Sequence, residues 1–204
     1  MTRSVAKGIR LAVMAAGLLV VAGCATPSQR INIIYQPVAN ASGGRGNVVL
    51  TARDSGASSA QGTVRWVLGN ITSEESGTVG EITSATAPAD LVLDALRQEL
   101  FRAGYTVNLA GTMPADVPQG IDLTKVTVTL KETTSILKVE ANSQVAVSFG
   151  LYKKGVLVDK VTFESRNSDF AVKDRGLLLP ALLQKGLQNV MKQAVPAIIT
   201  SFGK

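Results

Sequence analysis

A chain of 204 residues with no histidine and a single cysteine, Cys24, has few ways to do chemistry. Without imidazole there is no Ser-His-Asp or Cys-His catalysis, and the commonest transition-metal ligand is missing. One thiol can form no intramolecular disulfide and no zinc cluster. Carboxylates remain. A two-acid mechanism of the glycosidase kind needs a pair flanking the scissile bond, and the candidates are Asp54, Glu74, Glu75 and Asp174. Glu74-Glu75 has no apolar flank to push one pKa above the other, so it reads as a solvated loop pair. Asp54 follows Arg53 at the end of an apolar run and reads as a turn residue accepting backbone N–H bonds, with Arg53 beside it on the surface. The glycines around Gly43-Gly44 lack the Lys-Ser/Thr ending of a phosphate loop. No catalytic residue, cofactor site or metal site is therefore assigned. A carboxylate-dependent carbohydrate- or lipid-processing enzyme stays open as the alternative.

Cys24 has a different setting. Arg3, Lys7 and Arg10 precede an uncharged apolar run, Leu11 to Val20, which steps down through Val21-Ala22-Gly23 to the cysteine. That is the layout of a secretory signal, and the run is shorter than the roughly 20 residues of a membrane span. Val21-Ala22-Gly23-Cys24 resembles the lipobox of bacterial lipoproteins. The resemblance implies that residues 1–23 are a signal peptide that is removed, and that Cys24 becomes an N-terminus carrying diacylglycerol and a further acyl chain such as palmitate. One chain alone binds a bilayer marginally, with K about 10⁴ M⁻¹, whereas two or more anchor stably. Ala25 rather than an aspartate follows, and by resemblance to the sorting rule of enterobacterial lipoproteins this implies the outer membrane; the periplasmic side is expected over the cell surface. Residues 24–30 form a lipidated N-terminus and short tether. The seven residues from Cys24 to Ile31 reach at most about 25 Å, so the domain, residues 31–204, is expected to sit close to its membrane.

The elements that would position any site follow from periodicity. Ile31 to Gln36, Val48 to Ala52 and Thr63 to Leu68 read as short strands, the last inside an irregular hairpin arm from Gly56 to Gly80. Pro88, the acids Asp90 and Asp94, the stripe Leu91, Val92, Ala95, Leu96, Leu100, Ala103, and Gly104 predict a capped amphipathic helix. A strand, Tyr105 to Leu109, and a connection, Ala110 to Gly120, come next. Val126, Val128 and Leu130, then Val145, Val147, Phe149 and Leu151, alternate with polar residues. Lys153-Lys154-Gly155 turns the chain into a return strand from Val156 to Glu164, whose apolar phase slips around Asp159-Lys160 as at a β-bulge. Leu179, Leu183, Leu187, Val190, Ala194 and Ile198 predict a last helix that Pro196 should kink or end. The fold class is α+β: a mostly antiparallel sheet with two amphipathic helices on one face.

Arg53-Asp54 after a strand, the irregular arm, the helix from Ala89 to Leu100, the Ala103-Gly104-Tyr105 stop, a meander and a C-terminal helix together resemble the YajG-like family of bacterial envelope lipoproteins. The resemblance implies an α/β envelope lipoprotein without a defined biochemical activity. The expected role is that of a non-enzymatic binding or accessory component of cell-envelope assembly or transport, held to its membrane through Cys24 and meeting an envelope protein partner. Arg65 and Trp66, two side-chain types enriched at binding hot spots, mark the arm as the partner contact, with Arg53 and Asp54 beside it. Trp66 can equally fill the core. The net charge is +6. The excess left outside the signal lies in residues 121–204, a face that could meet an anionic glycan or lipopolysaccharide or simply keep the domain solvated. No basic patch with interleaved aromatics is present, so nucleic acid is not expected.

Overall fold

The computed structural model describes residues 28–38, 40–52 and 65–203. Cys24, Arg53 and Asp54 lie outside them. The chain runs β1 (Gln29–Ile31), β2 (Asn47–Ala52), β3 (Trp66–Ser73), β4 (Gly77–Ser84), α1 (Pro88–Ala103), β5 (Thr106–Leu109), β6 (Gln119–Thr134), β7 (Val139–Lys153), β8 (Val156–Ala171), a 3₁₀ turn (Arg175–Leu177) and α2 (Leu178–Gly203). The class is α+β, with one eight-stranded sheet and both helices sharing a single core with its inner face.

The long strand β6 organises the sheet. Along one edge it pairs antiparallel with β7, which pairs antiparallel with β8. The other edge is shared end to end. Parallel β2 takes Gly120 to Leu123, and parallel β3 takes Leu130 to Thr134. Antiparallel β4 adds to β3, parallel β1 to β4, and parallel β5 to β2. The meander β6–β7–β8 is thus antiparallel as expected, but the short strands contribute parallel pairings that the periodicity does not reveal. Two bulges explain the phases. Leu123 opposes Phe149 while Lys125 opposes Ser148, so Thr124 is the extra residue, and the inward set changes from Ile121 and Leu123 to Val126, Val128 and Leu130. In β8, Leu151 opposes Asp159 while Tyr152 opposes Leu157, which puts the extra residue at Val158, next to the predicted slip. Lys154 and Gly155 both have positive φ, 50° and 74°, as a two-residue hairpin turn of the primed type demands.

Several boundaries differ from expectation. The first strand is Gln29–Ile31 and does not run on to Gln36, because the segment after it is tied to Glu99 of α1 rather than to a neighbouring strand. β3 continues past Leu68 to Ser73. Strand β6 begins at Gln119, inside the predicted connection. Gly120 to Leu123 are all buried, because the 110–118 segment folds over them: Met113 and Val117 press on Gly120. With both faces covered, no alternation marks the strand. β8 runs on to Ala171 as an edge strand whose outward residues are mixed in polarity. And α2 continues through Pro196 to Gly203. Its buried face includes Ala194, Val195, Ile198 and Phe202 on either side of the proline, and each such large apolar side chain is worth about 1.5–3 kcal/mol, enough to offset one lost backbone bond.

The helices form where the stripes predict. In α1, Val92, Ala95, Leu96, Leu100 and Ala103 are buried, and Gly104 closes the helix in the left-handed region at φ 109°. In α2, all six stripe residues are buried. The helix lies close on the sheet at Gly186, where a Cβ would stand 2.9 Å from Val145. Ser143 Oγ donates to the Leu182 carbonyl at 3.2 Å, and Asn189 donates to Asn167 at 3.1 Å. These polar ties fix which part of β7 and β8 the helix covers.

Candidate functional site

Arg65 and Trp66 stand at the start of β3, in the part of the expected arm that forms the β3–β4 hairpin, whose register shifts twice, while residues 56–64 of the arm lie outside the described residues. The hairpin β3–β4 closes at Glu74-Glu75-Ser76, with Gly77 at φ 79°. Arg65 is exposed and pairs with Glu81 at 3.5 Å, a surface contact of small energetic weight. Trp66 opposes Ser84, is half-buried and packs against the core. The indole therefore lies between the two placements that the sequence leaves open. Trp66→Ala should cost about 2 kcal/mol, roughly half of a fully buried tryptophan. Thermal unfolding should register this as a fall of about 4–8 °C; an unchanged melt would make the indole a purely exposed anchor.

The carboxylates are dispersed. Glu74, Glu75 and Asp174 are exposed, and among the described residues no three potential ligands gather to hold a metal ion. Three of the described acids are buried instead. Asp122 accepts from Thr51 Oγ1 at 2.8 Å, joining β6 to β2. Burial pushes the Glu132 carboxyl above the usual range. Glu99, on the buried face of α1, accepts from Tyr35 Oη at 2.7 Å and from the Val38 amide at 2.6 Å. It holds the 32–38 segment onto the helix. The Tyr35 hydroxyl is shifted far upward, first by burial and then by its bond to Glu99. A glutamate at the phase of Val92, Ala95, Leu96 and Ala103 is visible in the sequence as a polar break in an apolar stripe, and that break is the signal for the clasp. Glu99→Ala would leave the hydroxyl and the amide without this partner, a loss of about 3 kcal/mol, read as a melt roughly 6–12 °C lower. Glu99→Gln keeps an acceptor and should recover most of it.

One depression has the chemistry of a binding surface. Thr129, Gln144 and Arg166 lie in register across β6, β7 and β8, and Lys131, Asn142 and Ser168 form the next row but one on the same outer face. Together they line a cavity of about 440 Å³, open to solvent. Its walls carry hydroxyls, amides and two cations. Gln144 donates to Glu164 at 2.8 Å and Arg166 to the same carboxylate at 2.5 Å, and this pairing holds the Glu164 carboxyl below the usual range. The arrangement can hydrogen-bond sugar hydroxyls or phosphate oxygens. A second hollow, of about 330 Å³, lies between Asn40, Ala41 and Ser42 and the Pro196 region of α2.

No helix among the described residues is long and apolar enough to cross a membrane. No protein-family model matches the chain, and no curated protein matches it. Among solved structures it is similar to a minor lipoprotein from Acinetobacter baumannii, at 12% identity and a TM-score of 0.44 over 74% of this chain and 92% of that one. It is similar to a Xanthomonas campestris protein at 9% identity and a TM-score of 0.48, over 86% of this chain and 96% of the other. A third is the rare lipoprotein B from Shewanella oneidensis, at 13% identity and a TM-score of 0.35 over 66% and 92% of the two chains.

Proposed function

We propose that the chain is an outer-membrane-anchored lipoprotein, facing the periplasm, that serves as a non-enzymatic binding or accessory component of envelope assembly or transport. The observation that carries the reading is Val21-Ala22-Gly23-Cys24 behind a charged and apolar leader, with no second cysteine and no histidine in the chain. The layout shared with the YajG-like lipoproteins supports the same reading. Within the fold, the buried acids Glu99 and Asp122 are spent on structure, and Glu74, Glu75 and Asp174 are exposed. The surfaces left for recognition are the polar outer groove around Lys131, Gln144 and Arg166 and the start of β3 at Arg65 and Trp66. A glycan or the phosphorylated sugar of a lipopolysaccharide fits the donors of the groove; a protein partner fits the strand.

Site-specific photocrosslinking in intact cells tests the reading. A photoreactive residue at position 65 should give a discrete adduct with an envelope protein, and one at position 144 an adduct with a glycan or glycolipid. A probe at Val92, in the core, should give neither. The enzymatic alternative wins if purified protein turns over an envelope glycan or lipid and Asp54→Asn or Asp174→Asn abolishes that turnover.

A further inference from the structure

The end of the sheet where β6 turns into β7 carries a cluster of exposed apolar side chains, larger than the one at the opposite hairpin, Val156 to Val158. Ile136, Leu137, Phe170, Val172 and Leu177 are each between 60% and 80% exposed. They form one tip: Ala171 pairs with Val139, and Arg175 donates to the carbonyls of Ser135, Ile136 and Val172, holding the end of β8 against the turn. Charge does not explain the cluster. Lys138 is already paired with Glu140 and also feels Glu74, and Lys173 and Arg175 flank Asp174 in the chain.

The chain's own N-terminus says what the tip faces. Gln29 opposes Ile82, Gly69 opposes the same Ile82, and Gly69 opposes Leu130. Gln29 thus stands level with Leu130, four residues of strand, or about 13 Å, short of Thr134. Because β1 runs parallel to β4, and β4 antiparallel to β3, the chain entering Gln29 comes from the side of the tip. Cys24 is five residues before Gln29, a reach of at most about 18 Å. A lipidated Cys24 can therefore come level with the turn and hardly beyond it. We propose that the apolar tip at Ile136, Leu137, Phe170, Val172 and Leu177 is a second membrane contact, set between the headgroups of the bilayer that holds the Cys24 acyl chains; this rests on reading Cys24 as the anchor. The tip fixes the domain's orientation, with the opposite end, the hairpin at Val156, pointing away from the bilayer. Since the charges near the tip offset one another, the contact is apolar and needs no anionic lipid.

The test uses the full lipoprotein, processed in cells and reconstituted into vesicles of phosphatidylethanolamine and phosphatidylglycerol containing brominated acyl chains. Trp66, the only tryptophan, is first replaced by phenylalanine, and single tryptophans are then placed at positions 137, 170 and 156. Leu137→Trp and Phe170→Trp should lose most of their emission to the bromine, while Val156→Trp keeps its own. Unlabelled protein gives a second reading: amides 135–137 should exchange more slowly on vesicles than in detergent-free monomer released by cleavage after the tether. Protein that fails to float with vesicles would overturn the anchor and this inference together. Protein that floats with positions 137 and 170 unquenched would overturn this inference alone. Blue-shifted but unquenched emission, with a dimer in sedimentation, would assign the tip to a second copy instead and equally overturn it.

Discussion

Cys24→Ser should move all of the protein from the membrane to the soluble fraction and abolish its labelling by fatty acid. A side chain without sulfur can carry no thioether, and no second cysteine is present to substitute. The magnitude follows from acyl chemistry: each buried CH₂ contributes about 0.8 kcal/mol, so loss of two or more chains removes far more than any exposed surface can restore. The apolar tip does not rescue retention, because five partly exposed side chains bury only a fraction of the area of one acyl chain pair. Folding should be untouched, since Cys24 precedes the first strand by five residues. Fractionation and metabolic labelling, with a melting curve of the soluble variant beside them, check each part. Persistent labelling of the variant would sink the lipobox reading, and a lost melt would mean that the N-terminus holds the fold.

How much of this was legible in the residues depends on what each signal encodes. Helix α1 could be read because its stripe, its proline and Gly104 are all local; the same is true of the Lys154-Gly155 turn, which needs only two residues with positive φ. The meander was visible because β7 has one buried and one half-exposed face, from Ala141 to Leu151. Strand partners were not. Whether β3 lies parallel to β6 or antiparallel is decided by where the chain returns, and Trp66 to Ser73 has the same composition either way. Pro196 misled for the opposite reason: its local effect is real, but Val195, Ile198 and Phe202 are buried around it and tertiary packing prevails. The outer groove was written only as the polar half of an alternation, Thr129 and Lys131, whose partners Gln144, Arg166 and Ser168 are set by register. Cys24 lies outside the described residues, so its reading as a lipidation site stands on the leader and the lipobox pattern alone.

Gly69→Ala should destabilise the protein by about 4 kcal/mol, more than alanine at any other described glycine outside the left-handed turns. A Cβ at Gly69 would stand 1.7 Å from the Leu130 carbonyl oxygen and 2.6 Å from its carbon. Both are backbone atoms and cannot turn aside as a side chain would. The site is also irregular: the register between β3 and β4 shifts between Val67 and Gly69, and a glycine at such a point marks a close backbone approach. To admit the methyl, β3 must move off β6. Overpacking costs about 3 kcal/mol at its upper range, and each parallel bond weakened between Gly69 and Ser73 adds about 1 kcal/mol. The melt should fall by about 8–16 °C. The damage should also be directional. Strands β4 and β1 reach the sheet only through β3, so hydrogen exchange should accelerate in β1, β3 and β4 while β7 and the buried face of α2 stay protected. A uniform loss of protection would mean that the two halves of the β6 edge unfold as one unit. A variant as stable as the parent would mean that β3 does not approach Leu130 as closely as described.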